Sequence, residues 1–341
     1  FQVRTSDGYI LGVMRMSRGG RSNSPVLLQH GLLVDGATWL VGSAEQSLAT
    51  ILADRGFDVW ISNFRGTRFS RRHVALYPEN PDFWNWTWDD LAGQDVPSVV
   101  NFIVSRTGRR PHYVGHSMGT LVALASLTTG GFRNVKSASL LAPIAFLSHI
   151  TTPLVTSAAN FFLGEGANLL GFAEFDPRGV VAEGLVRMWC LSSGVNCYDL
   201  LSALTGRNCC LNSSTVDEFL KNEPQSTATK NLIHFSQGVR DGDISKYDYG
   251  DSGNNLKHYN SATPPVYDLS RIPADFPLFV SYGGNDALSD REDVGTLLGV
   301  LKSRHRPEEL RVQYVDNYGH MDFIMAVNAN RVVYKPLVDF I

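Results

Sequence analysis

Apolar residues recur along this chain in two rhythms. Short runs at 26 to 29, 57 to 61, 112 to 115, 137 to 142 and 277 to 282, with an alternating one at 311 to 315, have the length and composition of buried strands. Stretches at 44 to 55, 91 to 106, 117 to 128, 291 to 303 and 322 to 340 carry their apolar positions at helical spacing instead. Strands separated by helices predict an α/β fold, a mainly parallel sheet covered by helices on both faces. From 148 to 270 the alternation stops. That interval is expected to be a cap or lid domain inserted between the strand at 137 to 142 and the strand at 277 to 282, leaving 1–147 and 271–341 to build the core. Its opening, Pro153 to Leu163, is apolar. It reads equally as a lid helix that turns toward a lipid surface and as a helix packed permanently inside the cap, because periodicity does not separate the two.

The densest chemistry sits where a strand ending at Val114 gives way to a helix that is apolar nearly all round, Thr120 to Leu127. Gly115-His116-Ser117-Met118-Gly119 must hold the reversal between them, a G-x-S-x-G elbow whose glycines allow close backbone approach and whose apex presents one serine. A serine nucleophile needs a base, and the base needs an orienting carboxylate. The strand at 277 to 282 runs into Gly283-Gly284-Asn285-Asp286, and the strand at 311 to 315 runs into Asn317-Tyr318-Gly319-His320. The order Ser117, Asp286, His320 is that of the α/β-hydrolase arrangement and not that of trypsin-like or subtilisin-like folds. Asp290 and Asp293 follow closely and compete with Asp286 for the orienting role. Two backbone amides should form the oxyanion hole: that of Met118, directly after the nucleophile, and that of Leu32, in the His30-Gly31 turn after the strand at 26 to 29.

With these pieces placed, the chain resembles the acid lipase family of α/β hydrolases, the gastric and lysosomal acid lipases and their plant triacylglycerol lipase relatives. The resemblance is carried by TSDGYIL at 5 to 11, HGLL at 30 to 33, GFDVW at 56 to 60, NFRGTRFSRRH at 63 to 73, FWNWTWDDL at 83 to 91, GHSMG at 115 to 119, GGNDALSD at 283 to 290 and YGHMDFI at 318 to 324. KNEPQST at 221 to 227 looks most like the plant branch. The family implies a triad at Ser117, Asp286 and His320 and oxyanion donors at Leu32 and Met118. It also implies a neutral lipid ester substrate, most of all triacylglycerol, attacked through an acyl-enzyme without metal or organic cofactor. Departures fall on side chains that carry no catalytic atom: Ala287 where the family often has a bulky residue, and Met118 where some members have Gln. Hydrolysis of smaller or sterol esters, acyl transfer to an alcohol, and a ligand receptor built on a hydrolase scaffold are the other readings.

Composition narrows the partners. A formal net charge of -3 provides no field for nucleic acid. The cluster Arg65, Arg68, Arg71, Arg72 and His73 reads as a structural loop behind the site. No apolar run reaches the roughly 18 residues of a membrane span. The expected partners are the lipid ester and a lipid-water interface; oligomeric state is not legible. Phe1 lies in what reads as a strand, so no signal peptide is present to read, and the compartment must come from the cysteines. Cys190, Cys197, Cys209 and Cys210 form an even, local set that suggests disulfides and a secreted, vacuolar or lysosomal location. Of the possible pairings, the one between the adjacent Cys209 and Cys210 is the least expected on geometric grounds. Two glycosylation sequons occur, at Asn85 and Asn212, the latter in the more polar and turn-rich surroundings.

Overall fold

The computed structural model describes residues 1–18, 24–179 and 200–341. All six strands expected from sequence are present, and two more precede them. The strands β1 (Gln2–Arg4), β2 (Ile10–Met16), β3 (Pro25–Gln29), β4 (Asp58–Ser62), β5 (His112–His116), β6 (Ser137–Leu141), β9 (Leu278–Gly283) and β10 (Leu310–Val315) form one sheet in the order β1-β2-β4-β3-β5-β6-β9-β10. The first two run antiparallel to their neighbours, and every pair from β4 to β10 is parallel. Parallel pairing gathers the carboxyl ends of β3, β5, β6, β9 and β10 on one edge, where open α/β sheets hold their ligands. β3 to β6 are buried at every position, which is why β3 and β4 carry continuous apolar runs rather than alternation, while β5 and β6 also bury His112, His116, Ser137 and Ser139.

Helices cover both faces. The helices Val96–Thr107, Met118–Thr129 and Arg291–Arg304 pack into one apolar cluster, while Leu48–Asp54 and the segment around Phe323 to Leu337 pack into the other. The helix expected over 44 to 55 begins only at Leu48, capped by Ser47. The helix expected over 322 to 340 is broken after Met325. The Val327 amide is diverted to the carbonyl of Cys210 at 2.9 Å, so the chain turns before it resumes helical form at Asn330.

Between β6 and β9 no residue joins the main sheet among the described residues. This stretch holds the helices Pro153–Asn160, Leu163–Leu169, Leu200–Thr205, Ser213–Asn222, Thr229–Asp241 and Ser252–Tyr259, with a two-stranded antiparallel ribbon of β7 (Glu174–Phe175) and β8 (Thr227–Ala228). Helix Thr229–Asp241 packs on the first two helices of the stretch. Phe161, Phe162, Leu163, Leu169, Leu170 and Phe172 nevertheless remain exposed.

The basic loop after β4 is structural, as expected. Arg65 is 1% exposed and is bracketed by carboxylates: Nη1 lies 2.7 Å from Asp7, and Nε and Nη2 lie 2.8 and 2.5 Å from Asp95. Its guanidinium also stands 3.8 Å over the Tyr9 ring. Arg68 binds Asp35, and Arg71 binds Glu174. Removing one member of a buried ion pair strands the other charge in low dielectric. Arg65→Ala should therefore lower unfolding stability by about 3 to 5 kcal/mol in a denaturant titration, whereas Lys335→Ala, which removes an exposed i,i+4 pair with Asp339, should change it by less than about 0.5 kcal/mol.

Candidate active site

Strand β5 ends at His116 and the helix Met118–Thr129 starts two residues on, so Ser117 makes the reversal alone. Its backbone sits at φ 55° and ψ −123°, a conformation that residues with a Cβ rarely adopt. Three hydrogen bonds hold it there. The Ser117 amide donates to the Leu141 carbonyl at 3.2 Å, and the Ser117 carbonyl accepts from the Thr120 amide at 2.8 Å and from Thr120 Oγ1 at 2.6 Å. The flanking glycines are needed because a Cβ on Gly115 would lie 2.8 Å from the Gly119 backbone, and one on Gly119 would lie 2.7 Å from the Gln29 carbonyl oxygen. Gly31 is equally constrained, since its Cβ would meet Ser117 Cβ at 2.9 Å. The loop after β3 thus lies directly against the serine.

Asp286 stands three residues beyond β9 and His320 five beyond β10. His320 Nδ1 is 2.8 Å from Asp286 Oδ2 and 3.0 Å from Oδ1. An ionised carboxylate only accepts, so Nδ1 carries the proton and Nε2 keeps its lone pair. That Nε2 is buried and has no hydrogen-bond partner among the described residues. Asp286 Oδ1 also accepts from the amides of Leu288 and Ser289, at 2.9 and 2.7 Å, which fixes the carboxylate's orientation. Asp286 and His320 are buried while Ser117 is only partly so. The competing carboxylates are occupied elsewhere. Asp290 caps the helix Arg291–Arg304, and Asp293 binds the ring and the amide of His149 at 2.8 and 2.9 Å.

The two amides expected to form an oxyanion hole are set by different devices. The Met118 amide opens its helix, so no carbonyl of that helix can accept from it. Leu32 is oriented through His30. His30 Nε2 accepts from the Phe64 amide at 3.0 Å, which leaves the proton on Nδ1, and Nδ1 donates to the Gly31 carbonyl at 2.8 Å. In a trans peptide the amide points opposite to its carbonyl, so pinning Gly31 C=O aims the Leu32 N–H the other way. Burial pulls the His30 ring down to about 4, so it stays neutral and keeps this tautomer across ordinary pH.

Other supporting residues lay hidden in the sequence. His116, the second letter of GHSMG, donates from Nε2 to the His320 carbonyl at 3.0 Å, and burial, then repulsion from His320, lowers it to about 3. Asp322, two residues past His320, accepts from the amides of Gly319, Cys209 and Cys210 at 2.8, 2.9 and 3.1 Å. The Thr205 carbonyl accepts from the His320 amide at 3.2 Å, and Asn208 Oδ1 from the Met321 amide at 3.0 Å. Asn231 is fully buried and places Nδ2 3.7 Å from Met118 Sδ. Of these, His116 and Asp322 lie within the motifs GHSMG and YGHMDFI, while Thr205, Asn208 and Asn231 lie in no such motif.

The cysteine expectation needs correction. Cys209 and Cys210, the pair least expected to join, are bonded to each other. The chain bends at both residues, and both adjacent amides donate to the single carboxylate of Asp322. Cys190 and Cys197 lie outside the described residues. Of the two sequons, Asn85 is exposed and accepts from Lys230 Nζ at 2.9 Å. Asn212 is half-buried and caps the helix Ser213–Asn222 through the Thr215 amide at 2.7 Å.

Comparison with known proteins decides the family. Residues 24–326 match the alpha/beta hydrolase fold, and residues 1–43 match the partial alpha/beta-hydrolase lipase region. Triacylglycerol lipase 2 of Arabidopsis thaliana is 50% identical over 99% of this chain and 83% of its own length. The chain belongs to the acid lipase family of α/β hydrolases. Gastric triacylglycerol lipase of Rattus norvegicus, at 34% identity over 99% of this chain and 87% of its own, represents the animal branch. Among solved structures, a lipase in its open form overlays with a TM-score of 0.61 at 15% identity, covering 99% of this chain and 96% of its own. A monoacylglycerol lipase of Paleococcus ferrophilus gives 0.57 at 15% identity, covering 97% and 99%. At such identities these two speak for the fold alone.

The geometry separates the carboxylates in a measurable way. Asp286→Asn should lower kcat on a soluble ester by about 10⁴, the loss expected when the base's tautomer is no longer enforced. Asp290→Asn should leave kcat within about twofold and stability nearly unchanged, because Asn caps a helix about as well as Asp.

Proposed function

We propose that this member of the family hydrolyses carboxylic esters of neutral lipids, with triacylglycerol its main substrate, through an acyl-enzyme on Ser117. The observation that carries the reading is the buried His320–Asp286 pair, whose Nε2 is left without a partner on the same sheet edge as the strained, accessible Ser117. The printed names of the plant and gastric relatives support the lipid ester.

In this mechanism His320 Nε2 takes the Ser117 hydroxyl proton as Oγ attacks the ester carbonyl, and Asp286 stabilises the imidazolium. The carbonyl oxygen, now charged, accepts from the amides of Leu32 and Met118. Collapse expels the alcohol, which takes the proton from Nε2. Water, deprotonated by the same nitrogen, then releases the fatty acid and restores Ser117.

Residues 148–270 act as the cap in this reading. The exposed apolar side chains from Phe161 to Phe172 lie on it and suit contact with a lipid-water interface. No helix among the described residues is long and apolar enough to cross a membrane. The cysteine pair and the gastric relatives support passage through the secretory pathway, where Asn85 and Asn212 are available to a glycosyltransferase.

The test compares emulsified long-chain triacylglycerol with a soluble short-chain ester. Ser117→Ala should abolish both activities while the thermal transition persists. Replacing Phe161, Leu169 and Leu170 with Ser should lower the emulsion rate relative to the soluble-ester rate by about tenfold, because apolar area at an interface is lost. Activity confined to the soluble ester would make the chain an esterase of smaller substrates.

A further inference from the structure

Glu223 and Gln225 follow the helix Ser213–Asn222, in the inserted stretch, and meet the loop that leaves β3. That loop needs holding. Leu33, next to the oxyanion donor Leu32, has φ 60°, the left-handed region that a residue with a Cβ occupies only at a steric cost. The Gln225 amide donates to the Leu33 carbonyl at 2.8 Å, and the Asp35 amide donates to Glu223 Oε1 at 3.2 Å. Gln225 Oε1 meanwhile accepts from the Arg68 amide at 3.1 Å. The inserted segment therefore grips the oxyanion loop on both sides of Val34.

The grip contains two buried carboxyl groups. Asp35 is already engaged as a carboxylate, Oδ2 accepting from Arg68 Nε at 2.6 Å and Oδ1 from the Ala37 amide at 2.7 Å. Glu223 is 1% exposed, its Oε1 accepts from the Asp35 amide, and its Oε2 has no hydrogen-bond partner among the described residues, so an ionised Glu223 would set a second buried negative charge beside Asp35. The two cations nearby do not neutralise it. Arg68 serves Asp35 and, through Nη1, Asn222, while Arg178 donates to the Glu223 backbone carbonyl at 2.6 Å.

We propose that Glu223 is a positioning residue for the oxyanion hole: its protonated carboxyl latches the inserted segment onto Leu33–Asp35 and so fixes Leu32, and its ionisation beside Asp35 releases the loop. The proposal rests on the role of Leu32 given above. Burial, followed by the Asp35 charge, pushes the Glu223 carboxyl up from 4.5 to about 8. A carboxyl raised in the folded state contributes stability that is whole below its unfolded value and lost as pH rises through its folded one. Its contribution to stability is therefore whole below 4.5 and gone past about 8, while in the folded protein the latch itself opens as Glu223 ionises near 8.

Glu223→Gln supplies a permanent N–H donor of the same shape. The wild type should lose about tenfold in kcat/KM on a soluble ester between pH 6 and pH 9, as one ionisation near 8 requires, while the Gln variant should lose less than about twofold over that range. Its melting temperature should rise above that of the wild type increasingly as pH climbs from 5 to 9, a readout that needs no catalysis. Identical pH profiles and parallel melting curves, with Ser117-dependent turnover intact, overturn the latch and leave the hydrolase standing. No Ser117-dependent turnover at any pH removes the hydrolase reading and the latch's role with it. A melting difference between the two proteins that tracks pH, with unchanged kinetics, shows a titrating contact that does not position Leu32, and overturns the proposal as stated.

Discussion

Three stretches of backbone touch at Ser117, and the remainder of the site is arranged around that contact. The end of β5, the first turn of the helix Met118–Thr129 and the loop after β3 approach so closely that a single methyl on Gly31, Gly115 or Gly119 would overlap a neighbour by several tenths of an ångström. The strain at Ser117 is sustained because its amide and carbonyl are both engaged, one by β6 and one by Thr120. Strain of this kind persists only where surroundings over-determine it. The same contact fixes the chemistry. The amide after the serine and the amide after Gly31 can converge on one oxygen only if both backbones border the nucleophile.

This constraint explains why so much of the centre was legible in the sequence. Glycines forced by close approach, strands buried on both faces and a nucleophile at a strand-to-helix junction are local properties, and they placed Ser117, Met118 and Leu32 at once. Asp286 and His320 followed because parallel strands deliver their carboxyl ends to one edge. What stayed hidden depends on pairs far apart in sequence. Glu223 meets Asp35 across 188 positions, Asp322 meets Cys210 across 112, and His116 meets the His320 carbonyl across 204. Each of these residues is an ordinary polar letter on its own, and no periodicity marks its partner. The Cys209–Cys210 bond lies outside the general rule against adjacent pairing, and the carboxylate that both of its amides bind is 112 and 113 positions away.

The same long-range bonds change what the inserted stretch does. Its amides at Cys209 and Cys210 and the Gly319 amide share the Asp322 carboxylate, and its Thr205 carbonyl holds the His320 amide. Gly206 forms a bridge with Asp286, close enough that a Cβ would stand 2.1 Å from the Asn285 carbonyl oxygen. The insertion is thus part of the scaffold that holds Asp286 and His320 in place. Helix Thr229–Asp241 extends this to the nucleophile, through Asn231 against Met118.

Three buried histidines surround the serine, and their hydrogen bonds assign them different work. His30 accepts at Nε2 and donates at Nδ1 to a backbone carbonyl, while His116 donates at Nε2 to another. Backbone carbonyls hold a neutral ring well but provide little for a full positive charge, so burial dominates and pulls the two down to about 4 and about 3. Of the three, only His320 donates to a carboxylate, and the amides of Leu288 and Ser289 keep that carboxylate facing it. A ring that must become cationic for an instant needs such a counter-charge within reach and already oriented. His116 Nδ1 and His320 Nε2 are both left unbonded among the described residues. Only the His320 ring has a carboxylate on its other nitrogen, and the proposed mechanism therefore routes the proton through His320.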